Sequence, residues 1–491
     1  MKKLFLAIAL TMAAWGSYAS TNDDFAWGNA SVYFVITDRF CNGDTSNDVN
    51  YGRKNDYGSE RMNAATFHGG DFKGMLKKAQ DGYFTEMGID VVWMTDVYEQ
   101  IHGWMSGSGD VNDFPHYGYH GYYPLDYTQI DKNYGTVEEF RALVDCLHAQ
   151  GIRVMLGANI NNPGYPTLLD AVQYGFAPTG NMTEAEAAEH HREWSYSNWT
   201  KENRKWDHWW TRDWLRLGEE EVNETAPETM TLFGLPDLKT EKTEAVKIPK
   251  FLKAKWKSEG SSNDAWVNPS ARHLRNDQNM APAEYFIAWI ASWVEEFGID
   301  GMRCDIVEYV HLYRWKELSD ACNAALERWR KRHKGEPASD WDEKFYMTSD
   351  YDYASIDYKP DYAAAGLSSM VNFYLPKHGD LDAIVYTWQA YADSAVHEHF
   401  KRLGKIRQSH RVIGSGRQIT IDNHTCARTD GKETVVICVV PNPERGINVG
   451  WQFADGTVVT ELYTGEKATV KDGRVKFASH RNNVAIIAVA E

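Results

Sequence analysis

The sequence predicts an α/β protein: a parallel sheet wound with crossover helices, interrupted by a large inserted lobe and followed by a C-terminal antiparallel β domain. Three observations lead there. From Ala30 to about Tyr374, short apolar runs alternate with amphipathic helical stretches, the pattern of strand and crossover helix. After Leu156, roughly 140 residues pass before the next strand near Ile299, far beyond ordinary connection lengths. Past roughly Val412 the helical stripes stop and strand-and-turn patterning takes over.

Strands are expected at 32–36, 89–94, 152–156, 299–304, 345–348 and 369–373. Between them, Thr136 and Glu139 form a capping box, and Phe140, Leu143, Val144 and Leu147 make one apolar helical stripe,. Phe286, Trp289, Ile290, Trp293 and Phe297 repeat that spacing just before Gly298, and another helix is expected at 396–408. The inserted lobe covers about 162–281, and 411–491 forms the β domain, with strands near 435–440, 458–463 and 484–489 punctuated by Asp-Gly and Gly-Glu turns.

The chain has 491 residues, with 69 Asp and Glu against 52 Lys and Arg, a formal charge of -17. A surface of that sign repels phosphate, which excludes nucleic acid as a partner. Residues 1–19 join Lys2 and Lys3 to an apolar run from Leu4 to Trp15 and then to Ser17-Tyr18-Ala19. That is the order of a secretory signal peptide, too short in its core to span a bilayer, so export to the periplasm or medium is expected, with no membrane span after cleavage. The six cysteines lack zinc-type spacing,. Cys426 and Cys438 flank the turn Thr429-Asp430-Gly431-Lys432, so a cross-strand disulfide is expected there, with Cys41, Cys146, Cys304 and Cys322 as buried thiols,. Aromatic residues reach 13%, with 19 Trp and 27 Tyr, which suggests stacking platforms for sugar rings.

The chemistry concentrates in Gly298-Ile299-Asp300-Gly301-Met302-Arg303-Cys304-Asp305. Residues i and i+2 of a strand share a face, so Arg303 and Asp305 point together while Cys304 points away. An Arg beside a carboxylate at a strand's C-terminal end keeps the carboxylate ionised and positioned, which suits a nucleophile. This segment resembles the second signature of the α-amylase family, glycoside hydrolase family 13. The resemblance makes Asp305 the nucleophile of a retaining mechanism.

Other segments resemble the family too. Tyr119-His120-Gly121-Tyr122, followed by Asp131 and Tyr134-Gly135-Thr136, is similar to a segment whose His and second Tyr hold and stack the sugar, which assigns His120 and Tyr122 to substrate. Leu235-Pro236-Asp237-Leu238 resembles the short signature of the inserted lobe, whose Asp is a structural calcium ligand in relatives. Val32-Tyr33-Phe34, Thr37-Asp38-Arg39-Phe40 and Asn42-Gly43-Asp44 resemble the start of the barrel. His68-Gly69-Gly70-Asp71 and Glu99-Gln100-Ile101-His102-Gly103-Trp104 look most like periplasmic α-amylases of enteric bacteria. The resemblance implies a (β/α)8-type barrel with its site at the strand C-termini.

Several family features are altered. In Val154 to Asn162, the usual Asp is Gly157 and the usual His is Asn162; Asn161, a calcium ligand in relatives, remains. With Asp237 it makes calcium a candidate structural cofactor, although such a site needs about six or more oxygens; the alternative is that both residues merely cap local turns. The general acid after the fifth strand is replaced by Asp350, one methylene shorter and roughly 1.5 Å less in reach. Retaining enzymes hold their two carboxyls about 5–5.5 Å apart. Asp350 is thus either a substitute acid or a solvated surface carboxylate. Asp422-Asn423-His424-Thr425 is placed in the β domain, leaving the third carboxylate of the family absent. Glu308-Tyr309 replaces Lys-His past the nucleophile and adds like charge,. Between Tyr374 and Ala395 there is too little chain for strands seven and eight at about 30 residues per unit,, so an incomplete barrel with two open edges is expected.

Three readings follow: an exported protein that binds α-glucan (starch or maltodextrin) with weak or no retaining hydrolysis; an active α-1,4-glucan hydrolase using Asp305 and Asp350, with Arg303, His120 and Tyr122 holding the sugar; and a scaffold or accessory subunit whose protein partner the sequence does not name.

Overall fold

The computed structural model describes residues 25–55, 65–106, 115–177, 179–189, 209–216, 226–230, 235–350, 360–371, 395–439, 441, 444–478 and 483–490. The signal peptide expected at 1–19 and the segment 372–394, too short for two further strand-helix units, lie outside the described residues.

Six strands, β1 (Val32–Val35), β2 (Val91–Met94), β3 (Arg153–Ala158), β4 (Gly301–Cys304), β5 (Tyr346–Asp350) and β6 (Ser369–Val371), form one parallel sheet in sequence order. They match the six expected strands, and their curled order is the wiring of a (β/α)8 barrel. β3 is buried along its whole length, as a parallel strand covered on both faces must be. β1 and β6 are the sheet edges among the described residues, and Val32 and Phe34 of β1 stay 49% and 38% exposed.

A first helix, α1 (Phe72–Gln80), is capped by the Asp71 side chain, which accepts from the Gly74 N–H, and the later helices form where their sequence signals stand. On α2 (Val137–Ala149), the Thr136 hydroxyl accepts from the Glu139 N–H at 3.3 Å, and Glu139 accepts from the Thr136 N–H at 2.8 Å. Both orphan donors are thereby satisfied. α3 (Pro282–Phe297) starts on proline and ends at Gly298, whose φ of 72° is left-handed. A Cβ there would meet the Trp329 ring at 2.5 Å, so glycine also lets α4 (Leu312–Arg332) pack close.

The lobe between β3 and β4 carries two paired short strands, Leu215–Arg216 and Asp237–Leu238, and the helix Lys250–Glu259. Trp209, Trp210 and Trp214 are each 1% exposed and cluster with Phe251, Tyr285, Phe286 and Trp289. Four of the 19 tryptophans, Trp209, Trp210, Trp214 and Trp289, therefore pack in the core of the lobe and its seam with α3 and are not sugar platforms. Their value is apolar burial of about 150–250 Å² per ring.

Six strands, β7 (Arg417–Asp422), β8 (Thr425–Thr429), β9 (Thr434–Val439), β10 (Val458–Glu461), β11 (Lys467–Thr469) and β12 (Val484–Val489), build the C-terminal antiparallel sheet in the order β7-β8-β9-β12-β10-β11. His424 lies in the β7–β8 turn, its N–H on Asp422 at 3.0 Å. The expected disulfide is not formed. Cys426 pairs with Ile437 while Cys438 pairs with Thr425; neighbours on a strand face opposite ways, so the two thiols point to opposite faces and both are free.

Helix α5 (Ala395–Ser409) joins the two parts. His399 Nδ1 meets the Tyr463 hydroxyl at 2.8 Å, Arg402 donates to the Tyr463 carbonyl at 2.7 Å, and Lys401 pairs with Glu86. Toward the barrel, a Cβ on Gly404 would stand 1.7 Å from the Met87 carbonyl oxygen. Gly404→Ala is therefore expected to cost about 1–3 kcal/mol, read as a lower urea midpoint. Gly28→Ala, with open space around it, should change stability by less than about 0.5 kcal/mol.

Candidate active site

Cys304 of β4 stands in register with Ala158 of β3 and Ser349 of β5. The Asp305 N–H continues the ladder to the Ala158 carbonyl at 3.0 Å, so Asp305 leaves the C-terminal end of β4 on a fixed backbone. Arg303 donates to Asp305 Oδ1, and the two side chains are 10% and 18% exposed. The shared strand face expected for them is present. Ile306, directly after, has φ 42° and ψ 55°. A β-branched residue there is strained, and it turns the chain into the short helix Val307–Tyr309 that carries Glu308.

The Tyr119–Tyr122 turn forms the opposite wall. The Arg303 guanidinium lies 5.7 Å from the Tyr122 ring centre and 6.0 Å from that of Trp93. The His120 ring stacks on Tyr122 at 5.3 Å and meets Tyr123 edge-on at 4.5 Å. The Tyr122 N–H donates to His120 Nδ1 at 3.0 Å. Burial, with His116 and Arg39 nearby, holds His120 well below its ordinary pKa. The ring is therefore neutral with its proton on Nε2, a hydrogen-bond donor suited to a sugar hydroxyl.

Asp350 follows Ser349 on β5, so its backbone stands in step with Asp305 on the adjacent strand; parallel strands lie about 4.8 Å apart. The structure thus brings together Arg303, Asp305, His120 and Tyr122, and the backbone of Asp350.

The third strand departs from the expected loss of charge at Gly157. A Cβ at 157 would meet Asp96 Oδ1 at 1.8 Å. Asp96, 1% exposed just past β2, occupies that space. Burial and the Asp305 charge push it up to about 8, against the pull of Arg303 and the Gly157 N–H. Sequence reasoning missed Asp96. Its signal was a carboxylate two residues past an apolar strand run, at the strand end where sites of this wiring gather. Asn162, at the family's His position, is turned inward: its Oδ1 accepts from Asn159 Nδ2 at 3.0 Å and its Nδ2 donates to the Pro163 carbonyl at 3.1 Å.

Asn161 and the strand of Asp237 lie together. The Leu238 N–H donates to the Asn161 carbonyl at 2.8 Å. Asn161 Oδ1 and Asp237 Oδ1 are buried and meet no hydrogen-bond partner among the described residues. Two hard, orphaned oxygens fit a calcium ion. Arg216 holds the other oxygen of Asp237 and reaches Glu241 at 2.5 Å, so part of the local negative charge is already met. Among the described residues no group of three or more His, Cys, Asp or Glu could hold a metal. A calcium ion would therefore draw on backbone oxygens as well.

Among the described residues no helix is long and apolar enough to cross a membrane. The chain is 36% identical over 369 residues to the periplasmic alpha-amylase of Escherichia coli (strain K12), a match covering 72% of this chain and 51% of that protein. It is 30% identical over 180 residues to a cyclomaltodextrin glucanotransferase of Paenibacillus macerans, covering 36% and 24%. The chain thus spans about half or less of the length of these relatives. Among solved structures, an α-amylase from Malbranchea cinnamomea superposes with TM-score 0.57 at 18% identity, covering 96% of this chain and 98% of that one. One from Anoxybacillus gives 0.56 at 17%, covering 95% and 99%. Those likenesses establish the fold. The family pattern for the alpha amylase catalytic domain matches residues 34–333, and with the Arg303–Asp305 pair at the end of the fourth barrel strand, the chain belongs to the α-amylase family, glycoside hydrolase family 13.

Proposed function

We propose that this is an exported α-glucan-binding protein that hydrolyses its ligand weakly or not at all. The observation that carries the reading is the contrast between two walls of one pocket. On one side, neutral His120, the Tyr122 ring and Arg303 present a donor, a flat apolar face and a cation, the set a pyranose ring with hydroxyls takes. On the other, Asn162 spends its amide on Asn159 and Pro163, and the residue that the sequence offers as acid at the end of β5 is Asp, one methylene shorter than Glu. Retaining chemistry needs its acid within hydrogen-bond reach of the leaving oxygen before pKa matters. The loss of roughly 1.5 Å of reach weighs directly against it. Impaired members of a catalytic unit cost powers of ten in rate, not additively. Export is supported by the signal-like residues 1–19 and by the periplasmic relative.

Calcium belongs to this proposal in a structural role. Asn161 and Asp237 would hold it, and it would tie the inserted lobe to the end of the third strand. It enters no step of the chemistry.

Titration of the whole protein with maltoheptaose in a calorimeter is expected to give binding heat, while an activated maltoside turns over slowly or not at all. Any residual turnover should vanish in Asp305→Ala. Amylose degradation at ordinary amylase rates would sink the proposal, as would absence of binding. Tyr122→Ala should weaken maltoheptaose about ten-fold, the equivalent of roughly 1.4 kcal/mol of lost ring burial. For the metal, millimolar calcium should raise the apparent Tm over that in chelator, and Asp237→Ala should abolish the difference; an identical Tm in calcium and chelator rules the site out.

A further inference from the structure

The end of β2 holds a carboxyl that the proposed glucan pocket does not yet use. Asp96 projects from just past β2 into the volume above β3, where Gly157 leaves it room and where any side chain at 157 would collide with it. The Tyr119–Tyr122 turn is pressed onto the same residue, since a Cβ on Gly121 would lie 2.7 Å from the Asp96 nitrogen and 2.9 Å from its carbonyl oxygen. Asp96 is thus wedged between the β3 end, the sugar-facing turn and the Arg303–Asp305 pair. Its Oδ1 is buried and meets no hydrogen-bond partner among the described residues, an exception among buried polar atoms that asks for a reason.

We propose that Asp96 is a positioning residue of the pocket, a carboxyl that packs under Asp305 and sets that residue's orientation toward a bound glucan. This rests on the reading that the pocket takes α-glucan. The groups facing Asp96 are Asp305 and Arg303 from β4 and the Gly157 N–H from β3, while the Tyr98 and Tyr127 phenols, themselves raised by burial, feel its charge. Two carboxylates in so small and dry a space cannot both ionise cheaply. Asp305 has Arg303 and partial solvent; Asp96 has neither in full. Asp96 therefore keeps its proton to about pH 8 and acts as a neutral partner beside the Asp305 carboxylate.

An acid raised in the folded protein favours folding while protonated there, so its contribution falls as pH rises from its unfolded value near 4 to about 8 and is constant above,. Asp96→Asn copies the neutral carboxyl without titrating. Its folding equilibrium relative to wild type should improve by up to ten-fold per pH unit across that window and then level off, read as apparent Tm without sugar. In calorimetry with maltoheptaose, wild-type affinity should fall up to ten-fold per pH unit above about pH 8, and Asp96→Asn should hold its affinity. A purely structural residue would move the thermal slope alone and leave the two sugar-affinity curves parallel. As a second arm, Gly157→Asp should strongly destabilise the wild-type background and be tolerated with Asp96→Ser, a coupling that reads shared space.

Parallel pH curves for wild type and Asp96→Asn, or an equal cost of Gly157→Asp in both backgrounds, would overturn the assignment. If maltoheptaose binds at no pH, the glucan reading fails and the positioning role with it, while the thermal slope and the exchange still decide whether Asp96 is the protonated carboxyl that fills the space over Gly157. If Asp96→Asn does not fold, the exchange at 157 decides alone.

Discussion

The site depends on the register of the parallel sheet. Cys304 in step with Ala158 and Ser349 puts Arg303 and Asp305 on one face, at the end where the connecting turns converge. A slip of one residue would move that pair to the helix-covered face, and the Tyr122 ring would lose the cation beside it. The backbone ladder, extended by the Asp305 N–H to the Ala158 carbonyl, positions these side chains before any of them touches another.

Around that ladder, the loops are held by buried charge. Arg53 donates to both oxygens of Asp131 at 2.7 and 2.8 Å and to the carbonyls of Gln100 and Ile101 at 2.6 and 2.9 Å. Lys255 of the lobe helix, with no exposed surface, meets Glu99 at 2.5 Å, Glu259 at 2.7 Å and Asp126 at 3.4 Å. The buried cation keeps Glu99 ionised far below the usual carboxylate range. Such networks are poor sources of net stability, yet losing one partner strands the others in a dry interior. The result is a lobe held to the parallel-sheet domain by polar geometry as well as by its tryptophans.

Within this frame the candidate site is asymmetric. The His120–Tyr122 wall is organised for contact: a backbone N–H fixes the histidine tautomer, and ring stacking fixes its plane. The β3 side is closed by contacts among its own residues, with Asn159 and Asn162 bonded to each other and Asp96 filling the space over Gly157. A glycine that reads in one dimension as a lost carboxylate is, in three, the room another carboxylate needs.

Local signals were enough for much of this. Period-two and helical patterning located the six parallel strands, the capped helices and the β domain, because those elements are set by neighbours a few residues apart. The pairing of Arg303 with Asp305 followed from strand alternation, and the α-amylase resemblance pointed to His120 and Tyr122. Long-range packing decided the rest. Whether Cys426 reaches Cys438 depends on a register offset of one residue between two strands. Whether tryptophan faces sugar or core depends on how the lobe seats on α3. That Asp96 meets Gly157, with some sixty residues between them, depends on β2 and β3 lying side by side. Sequence alone determined which residues form each element, since that physics is local; the tertiary structure alone decided which side chains exclude one another at the site, since volume is shared only after the sheet has closed the distance.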